Sequence, residues 1–197
     1  MTIADLAAHF PALDSQTPVL IAGPTACGKS RLALQIAKTF GGVVINADAI
    51  QVYGALQILT ARPSMEDEQQ VQHLLYGHIT FDHAYSVGQW LREVTPLLHG
   101  GERPIIIGGT GLYFQALTQG LAEIPQISPQ IIARSEQVLA NAGHTALITE
   151  LDAATAARID LHNPMRVQRA WQVLHSTGRG LADWQDATPP PMLRVAD

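Results

Sequence analysis

Cysteine and charged residues are scarce in this sequence of 197 residues. The lone cysteine, Cys27, excludes an internal disulfide framework. Charged residues make up 15% of the chain and the net charge is -5, which argues against non-specific nucleic-acid binding but not against a local basic stripe. No apolar run approaches the roughly 18 residues that a membrane span needs. Residues 1–17 lack the pattern of a signal peptide and predict only one helical turn, around residues 5–9. We therefore expect a cytoplasmic protein without a membrane segment.

Residues 23–30, GPTACGKS, fit the phosphate-loop pattern G-x-x-x-x-G-K-[ST]. The glycines let several backbone N–H groups converge on one anion, Lys29 adds a positive charge, and the Ser30 hydroxyl can bind Mg²⁺. A short apolar run precedes the loop and a helical pattern follows it, as a phosphate loop requires. The predicted phosphate-binding residues are Gly23, Thr25, Ala26, Cys27, Gly28, Lys29 and Ser30. Because kinases, nucleotide hydrolases and some transferases share this loop, the chemistry stays open.

Two further apolar runs predict buried strands, at residues 43–46 and 104–107. The first leads into Asp48, which should face the same crevice as Lys29, because ligands bind at the carboxyl ends of parallel strands. A helix cap or a solvated turn would also account for this aspartate. The second run leads into a glycine-rich turn at residues 108–111, which places the Thr110 hydroxyl at the crevice, although a turn without a ligand would look similar.

Between these strands, an acidic stretch at residues 66–68 predicts a short helix toward Leu74. Ser86 and Gln89 form a capping box that begins another helix. The alternation of strands and helices predicts a doubly wound parallel α/β core, of the kind found in P-loop NTPases.

After Gly120 the sequence predicts only helices, with starts at Ser128-Pro129 and Asn163-Pro164. On the helix predicted over residues 165–176, Val167, Trp171 and Leu174 share one side, while Arg166 and Arg169 lie on another. The arginines could be merely solvated or could bind nucleic acid. The predicted organisation is an α/β core over residues 1–121, a helical segment over 122–187 and an irregular tail over 188–197.

Several stretches, in the right order, together resemble the tRNA dimethylallyltransferase (isopentenyl-tRNA transferase) family over nearly the whole chain. They are residues 23–30, 46–48 (NAD) with 51–53 (QVY), 60–63 (TARP), 85–86 (YS), 104–114 (PIIIGGTGLYF), 166–170 (RVQRA) and 177–179 (TGR).

The resemblance implies transfer of a dimethylallyl group from dimethylallyl diphosphate to the exocyclic amine of the adenosine 3′ to the anticodon in tRNA. The loop would hold diphosphate as the leaving group, with Lys29 and Mg²⁺ near Ser30 stabilising its charge. Asp48 would be the general base. The residues implied to contact the anticodon stem-loop are Asp48, Ala49, Ile50, Gln51, Thr110, Arg166, Val167, Gln168 and Arg169.

The sequence also departs from the family pattern. Ala49 and Ile50 replace a serine and a methionine, Gln57 replaces an acid, and Leu59 replaces a glycine. Ile132 stands where a basic residue is expected. Family members continue beyond this length with a further core strand and an arginine that grips the diphosphate. We therefore expect a core that lacks its last strand, with an uncovered sheet edge.

Three functions remain open for this chain. The first is a truncated, monomeric tRNA dimethylallyltransferase. The second is a P-loop small-molecule kinase that uses the loop on ATP and Asp48 on an acceptor hydroxyl. The third is a remnant that binds diphosphate or RNA without turnover.

Overall fold

The computed structural model describes residues 16–56 and 60–194. The helical turn predicted around residues 5–9 and the departures at Gln57 and Leu59 lie outside the described residues. In the described ranges no helix is both long and apolar enough to cross a membrane. The chain divides into two units. The first contains the described residues up to Gln119 and those from Met192 onward, and the second is Gly120–Pro191.

Four short strands form a parallel sheet in the first unit. They are β1 (Val19–Ala22), β2 (Val43–Asn46), β3 (His73–Leu74) and β4 (Pro104–Gly108). Their spatial order is β1-β4-β2-β3, and every neighbouring pair is parallel. Parallel neighbours need crossover connections, and each connection here contains a helix. The predicted parallel α/β class is therefore confirmed.

Local sequence signals set the helix starts in this unit. Helix α1 (Lys29–Phe40) follows the phosphate loop, and α4 (Gly111–Gln119) follows the second glycine-rich turn. Helices α2 (Met65–Gln70) and α3 (Val87–Leu97) each begin with a capping box, in which the cap serine and the third helical residue exchange hydrogen bonds. The capping box predicted at Ser86 and Gln89 is thus confirmed. Gly54–Leu56 adds one turn of 3₁₀ helix.

The prediction that α2 extends toward Leu74 is wrong. The helix ends at Gln70 because Val71 adopts an extended conformation (φ -145°, ψ 143°). The next residues pair with β2, where Val44 lies opposite His73 and Ile45 opposite Leu74. A two-residue strand has no apolar run of its own, so pairing with β2 rather than periodicity defines β3.

Alternate residues of β2 and β4 feed two hydrophobic clusters, one on each face of the sheet. With α3 and α4, one face buries Val43, Ile45, Ile106, Trp90, Val94, Tyr113 and Leu117. With α1, the other face buries Val44, Ile105, Ile107, Ala33, Ile36 and Ala37. Because each fully buried Val, Leu or Ile side chain contributes about 1.5–3 kcal/mol, the two central strands form the most stable part of the unit.

Strand β4 comes very close to the segment that follows β2. A Cβ atom at Gly108 would overlap the carbonyl group of Ala47, and Ala47 N donates to Ile107 O (2.7 Å). Only glycine fits so close an approach. The turns after β2 and β4 are therefore held against each other at the carboxyl edge of the sheet, where α/β proteins bind ligands.

The described residues of the second unit form helices only. These are α5 (Pro129–Ala142), α6 (His144–Ile148), α7 (Ala153–Ala156), α8 (Pro164–Thr177) and α9 (Leu181–Asp186). Ser128 and Asn163 cap α5 and α8, each followed by proline at the first helical position, as predicted. Leu147, Val167 and Trp171 form the buried centre of this unit.

The observed division differs from the predicted boundaries. The chain divides after Gln119, whereas the predicted boundary lies after residue 121, and Met192 to Arg194, within the predicted tail, belong to the first unit. Leu193 N donates to Leu117 O (3.0 Å), and Thr95 Oγ1 lies 3.9 Å from Met192 Sδ. These contacts return the chain to the first unit.

Candidate active site

The loop between β1 and α1 has the backbone conformation of an anion cradle. Gly28 (φ 89°) and Ala26 (φ 63°) both lie in the left-handed region, and such turns point successive N–H groups toward one side. No side chain caps α1, so the first N–H groups of the helix can bind an anion. Of the predicted phosphate-binding residues, Gly23 and Lys29 are half-buried and the others are exposed: Thr25, Ala26, Cys27, Gly28 and Ser30.

The ammonium group of Lys29 folds over this loop. Its Nζ donates to Pro24 O (2.6 Å) and lies 3.9 Å from Cys27 Sγ. A carbonyl oxygen is a neutral acceptor, whereas a phosphate oxygen is charged and forms a bond roughly twice as strong. An entering phosphate group can therefore replace the bond that holds Lys29 at the loop.

Asp48 lies two residues beyond the end of β2, and one of its carboxylate oxygens is already engaged. Oδ1 accepts from Ile50 N (2.9 Å) in a turn typical of aspartate. Within the described ranges, no group donates to Oδ2. Asp48 therefore has one carboxylate oxygen fixed by its own turn and one that can accept a proton.

The phosphate loop, Asp48 and the second glycine-rich turn meet at Gly109. A Cβ atom built at Gly109 would lie 3.4 Å from Asp48 Oδ2 and 3.7 Å from Gly23 O. Gly109 is exposed, so this meeting point opens to solvent. The structure thus brings together Asp48 and the start of the phosphate loop, as the carboxyl-edge argument from the sequence predicted.

Other residues predicted to contact tRNA surround Asp48. Thr110 Oγ1 accepts from Ala49 N (2.9 Å), which ties the second glycine-rich turn to the Asp48 segment. Gln51 Nε2 donates to Thr60 O (2.7 Å), so both polar side chains already have partners inside the protein. The side chain of Ile50 is 58% exposed and adds an apolar surface next to Asp48.

Two tyrosines near Asp48 stay protonated at neutral pH. Burial raises the pKa of Tyr113 to about 12, and the negative charges of Asp48 and Glu93 add to this effect. Burial also raises the pKa of Tyr76, and the charge of Asp48 adds to this effect. Neither phenol can act as a base at neutral pH, which leaves the Asp48 carboxylate as the candidate base at Gly109.

A cavity of about 240 Å³ borders the phosphate loop. Leu34, Val44 and Ile107 contribute apolar walls, and the polar lining comes from Ser30, Arg31, Asp67, His73 and Tyr76. Because Ser30 belongs to both the loop and the cavity wall, a ligand held by the loop could extend into this space.

The donor groups near the loop fit a metal ion that arrives with a phosphate ligand. Among residues 16–56 and 60–194, no group of three or more His, Cys, Asp or Glu side chains could hold a metal ion. Ser30 nevertheless exposes its hydroxyl at the start of α1. Mg²⁺ usually keeps several waters and is bound by one or two carboxylates together with phosphate oxygens, so the loop offers only the Ser30 hydroxyl as a candidate ligand beside those of a bound phosphate group.

The residues of α8 predicted to contact tRNA divide between two environments. Arg166 and Arg169 are exposed, and neither guanidinium forms an ion pair with any described residue. Val167 is fully buried, and Gln168 is buried with its amide donating to Ser135 Oγ (3.0 Å). Within this set, therefore, only the two arginines present their side chains to a ligand in solvent.

Two residues at the site were not predicted to have a functional role. The side-chain amide of Asn46 bonds to the backbone on both sides of Asp48, and Trp90 Nε1 donates to Asn46 O (2.7 Å). Trp90 also stacks on Tyr113, with 4.4 Å between ring centroids. Asn46 belongs to the NAD stretch at residues 46–48 that resembles the family, but a polar amide at the end of an apolar strand is too common to indicate a role of its own.

The parallel sheet, the phosphate loop after β1 and the ligand edge together define an α/β protein of the P-loop NTPase-like class. The profile of the family described as IPP transferase matches residues 51–196, and that of the family described as Isopentenyl transferase matches residues 17–80. The chain belongs to the IPP transferase family.

Curated relatives are similar over most of this chain. A tRNA dimethylallyltransferase of Cereibacter sphaeroides (strain KD131) is 57% identical over 189 residues, which are 96% of this chain and 60% of that protein. The tRNA dimethylallyltransferase of Dinoroseobacter shibae is 58% identical over 183 residues, 92% of this chain and 62% of that protein. The chain thus spans about 60% of the length of these relatives.

Solved structures share the fold. A eukaryotic dimethylallyltransferase acting on tRNA matches with a TM-score of 0.75 at 24% identity, over 90% of this chain and 46% of that chain. The full-length tRNA isopentenylpyrophosphate transferase of Bacillus halodurans matches with a TM-score of 0.53 at 32% identity, over 83% of this chain and 56% of that chain.

We expect Lys29→Met to weaken the binding of inorganic diphosphate by about tenfold or more, because a charge-assisted hydrogen bond contributes about 1.5–3 kcal/mol. Isothermal titration with diphosphate in the presence of Mg²⁺ measures the effect. Lys38→Met is the matched control, since Lys38 is exposed in the last turn of the same helix. If both variants bind diphosphate equally weakly, the effect comes from the loss of one positive charge anywhere on the helix and not from the loss of a contact in the loop.

Proposed function

We propose that this protein transfers the dimethylallyl group of dimethylallyl diphosphate to the exocyclic amine of the adenosine 3′ to the anticodon of tRNA. The observation that carries the proposal is the meeting point at Gly109, where the Oδ2 atom of Asp48 comes close to the start of the phosphate loop. Prenyl transfer needs this pair of features, a site for a diphosphate leaving group beside a base. Membership of the IPP transferase family supports the same chemistry.

The loop stabilises the charge that develops on the leaving group. As the allylic carbon–oxygen bond breaks, its electron pair stays on the diphosphate oxygen, where the N–H groups of the loop and Lys29 donate hydrogen bonds. Ser30 would hold a Mg²⁺ ion together with the diphosphate, and the bound ion supplies further positive charge there.

Asp48 completes the reaction on the acceptor side. The amine nitrogen forms the new bond to carbon, and its surplus proton passes to Asp48 Oδ2. An aromatic amine is a weak nucleophile and loses its proton only as the new bond forms, so a carboxylate within hydrogen-bond reach acts at that moment. The target base must leave its stack to reach this edge of the sheet.

The second unit is proposed to bind the tRNA backbone. Arg166 and Arg169 lie one turn apart on the exposed side of α8, and a guanidinium matches the geometry of phosphate oxygens. The pair supplies local positive charge on a chain whose net charge of -5 argues against non-specific binding of RNA. Since the acceptor is tRNA, we propose a cytoplasmic protein that acts as a monomer.

We expect Asp48→Asn to lower the transfer of labelled dimethylallyl groups into unmodified tRNA by about 10²–10⁴-fold, the usual contribution of a general base. Binding of inorganic diphosphate should remain unchanged, since the loop is intact. Glu102→Gln is the control: Glu102 is exposed just before β4, at the opposite edge of the parallel sheet. If the unchanged protein transfers no label to tRNA but transfers a phosphoryl group from ATP to a small acceptor, a P-loop kinase is favoured instead.

We expect the double variant Arg166→Ala, Arg169→Ala to bind tRNA more weakly and with a salt dependence reduced by about one unit of slope per arginine. Titration of fluorescent tRNA at several salt concentrations gives both quantities. Arg158→Ala is the control, because Arg158 is paired with Asp186 (2.6 Å). An unchanged salt slope in the double variant would contradict the proposed backbone contacts.

A further inference from the structure

The side chain of Asn46 is fully buried at the end of β2, and both polar atoms of its amide form hydrogen bonds. Oδ1 accepts from Asp48 N (2.9 Å), while Nδ2 donates to Asp48 O (3.0 Å) and to Leu75 O (3.0 Å). A primary amide has two donor hydrogens and one acceptor oxygen, and each of them has a partner here. These bonds hold the backbone of Asp48 from both sides.

The bond to Leu75 adds a second constraint. Leu75 lies in the left-handed region (φ 61°), which is unfavourable for a residue with a side chain. Its carbonyl oxygen points at the Asn46 amide, so Asn46 stabilises the turn after β3 as well as the turn after β2. The two turns are thereby coupled through one buried side chain.

These hydrogen bonds fix the orientation of Asp48. With its N–H and C=O both bonded to Asn46 and its Oδ1 bonded to Ile50 N, the residue retains little freedom, and Oδ2 lies near Gly109. We infer that Asn46 is a positioning residue, whose buried amide fixes the turn that aims the Asp48 carboxylate at the acceptor. This inference rests on the proposed function, since it assigns Asn46 a part in the same reaction.

No other common side chain reproduces these contacts. An aspartate at position 46 has the same shape and can accept from Asp48 N, but it would present an acceptor to two carbonyl oxygens. Alanine would remove the side-chain partner of three partly buried backbone groups. Both changes therefore release the Asp48 turn. Aspartate does so by repelling the two carbonyl oxygens, and alanine does so by removing the amide.

The test compares Asn46→Ala and Asn46→Asp with Val94→Ala in the whole chain. Val94 is a fully buried member of the hydrophobic cluster that also contains Ala47, so its truncation destabilises the same core by leaving a cavity and touches none of the amide bonds. We expect the Asn46 variants to lose about tenfold or more in kcat for dimethylallyl transfer, with the KM for the diphosphate donor within about twofold of the original value. Val94→Ala should lower the melting temperature without this loss in kcat.

A second measurement needs no turnover. Amide hydrogen exchange followed by NMR reports the Asp48 N–H, which Asn46 Oδ1 protects. We expect this amide to exchange about tenfold or more faster in Asn46→Ala than in the unchanged protein. In Val94→Ala we expect the Asp48 amide to exchange no faster than the global unfolding of that variant allows.

The outcomes separate the two proposals. If the unchanged protein transfers no dimethylallyl group, the proposed function fails, and the exchange data still decide whether Asn46 holds the Asp48 turn. Unchanged exchange at Asp48 in Asn46→Ala overturns the inference. An Asn46 variant with full kcat, or one whose loss matches that of Val94→Ala at equal loss of stability, also overturns it.

Discussion

The candidate site depends on the close approach of β4 to the segment that follows β2. At Gly108 a Cβ atom would overlap the carbonyl of Ala47, and Ala47 N bonds to Ile107 O (2.7 Å). This approach places the turn at Gly109 beside Asp48 and lets Thr110 Oγ1 accept from Ala49 N (2.9 Å). Because β1 pairs with β4 on its other side, the phosphate loop is carried to the same place. A side chain at Gly108 would push the turn after β2 away from the turn after β4.

The three turns contribute different properties to the site. The phosphate loop concentrates backbone N–H groups and the charge of Lys29, which suits a group that becomes more negative as it leaves. The turn after β2 supplies a carboxylate with one open oxygen. The glycine-rich turn after β4 supplies little chemistry of its own but leaves room at Gly109 between the other two. Such a division suits displacement of diphosphate better than it suits simple anion binding.

Most of the fold followed from patterns that are local in the sequence. The loop at residues 23–30 and the cap residues Ser86, Ser128 and Asn163 were predictable because each signal lies within a few residues of the structure it produces. Asp48 was predictable because parallel strands present their carboxyl ends at one edge. Strand β3 was not, since a two-residue strand exists only through its pairing with β2.

The unpredicted parts of the site depend on contacts between distant residues. The amide of Asn46 reaches Leu75, and the amide of Gln168 reaches Ser135, and neither partner can be inferred from the sequence around the amide. The tRNA contact of Gln168 was implied by the resemblance of residues 166–170 to the family, and the burial of this side chain could not be inferred from the residues around it. The burial of its neighbour Val167 was predictable, because helical periodicity placed Val167 on the core side of the helix.

The most direct test of the account is a crystal structure of the protein with Mg²⁺ and a thiolodiphosphate analogue of dimethylallyl diphosphate. We expect the diphosphate to lie in the loop at residues 23–30, bound by Lys29, with the allylic carbon facing Asp48 Oδ2 across Gly109. A diphosphate bound elsewhere, or an allylic carbon directed away from Asp48, would contradict it.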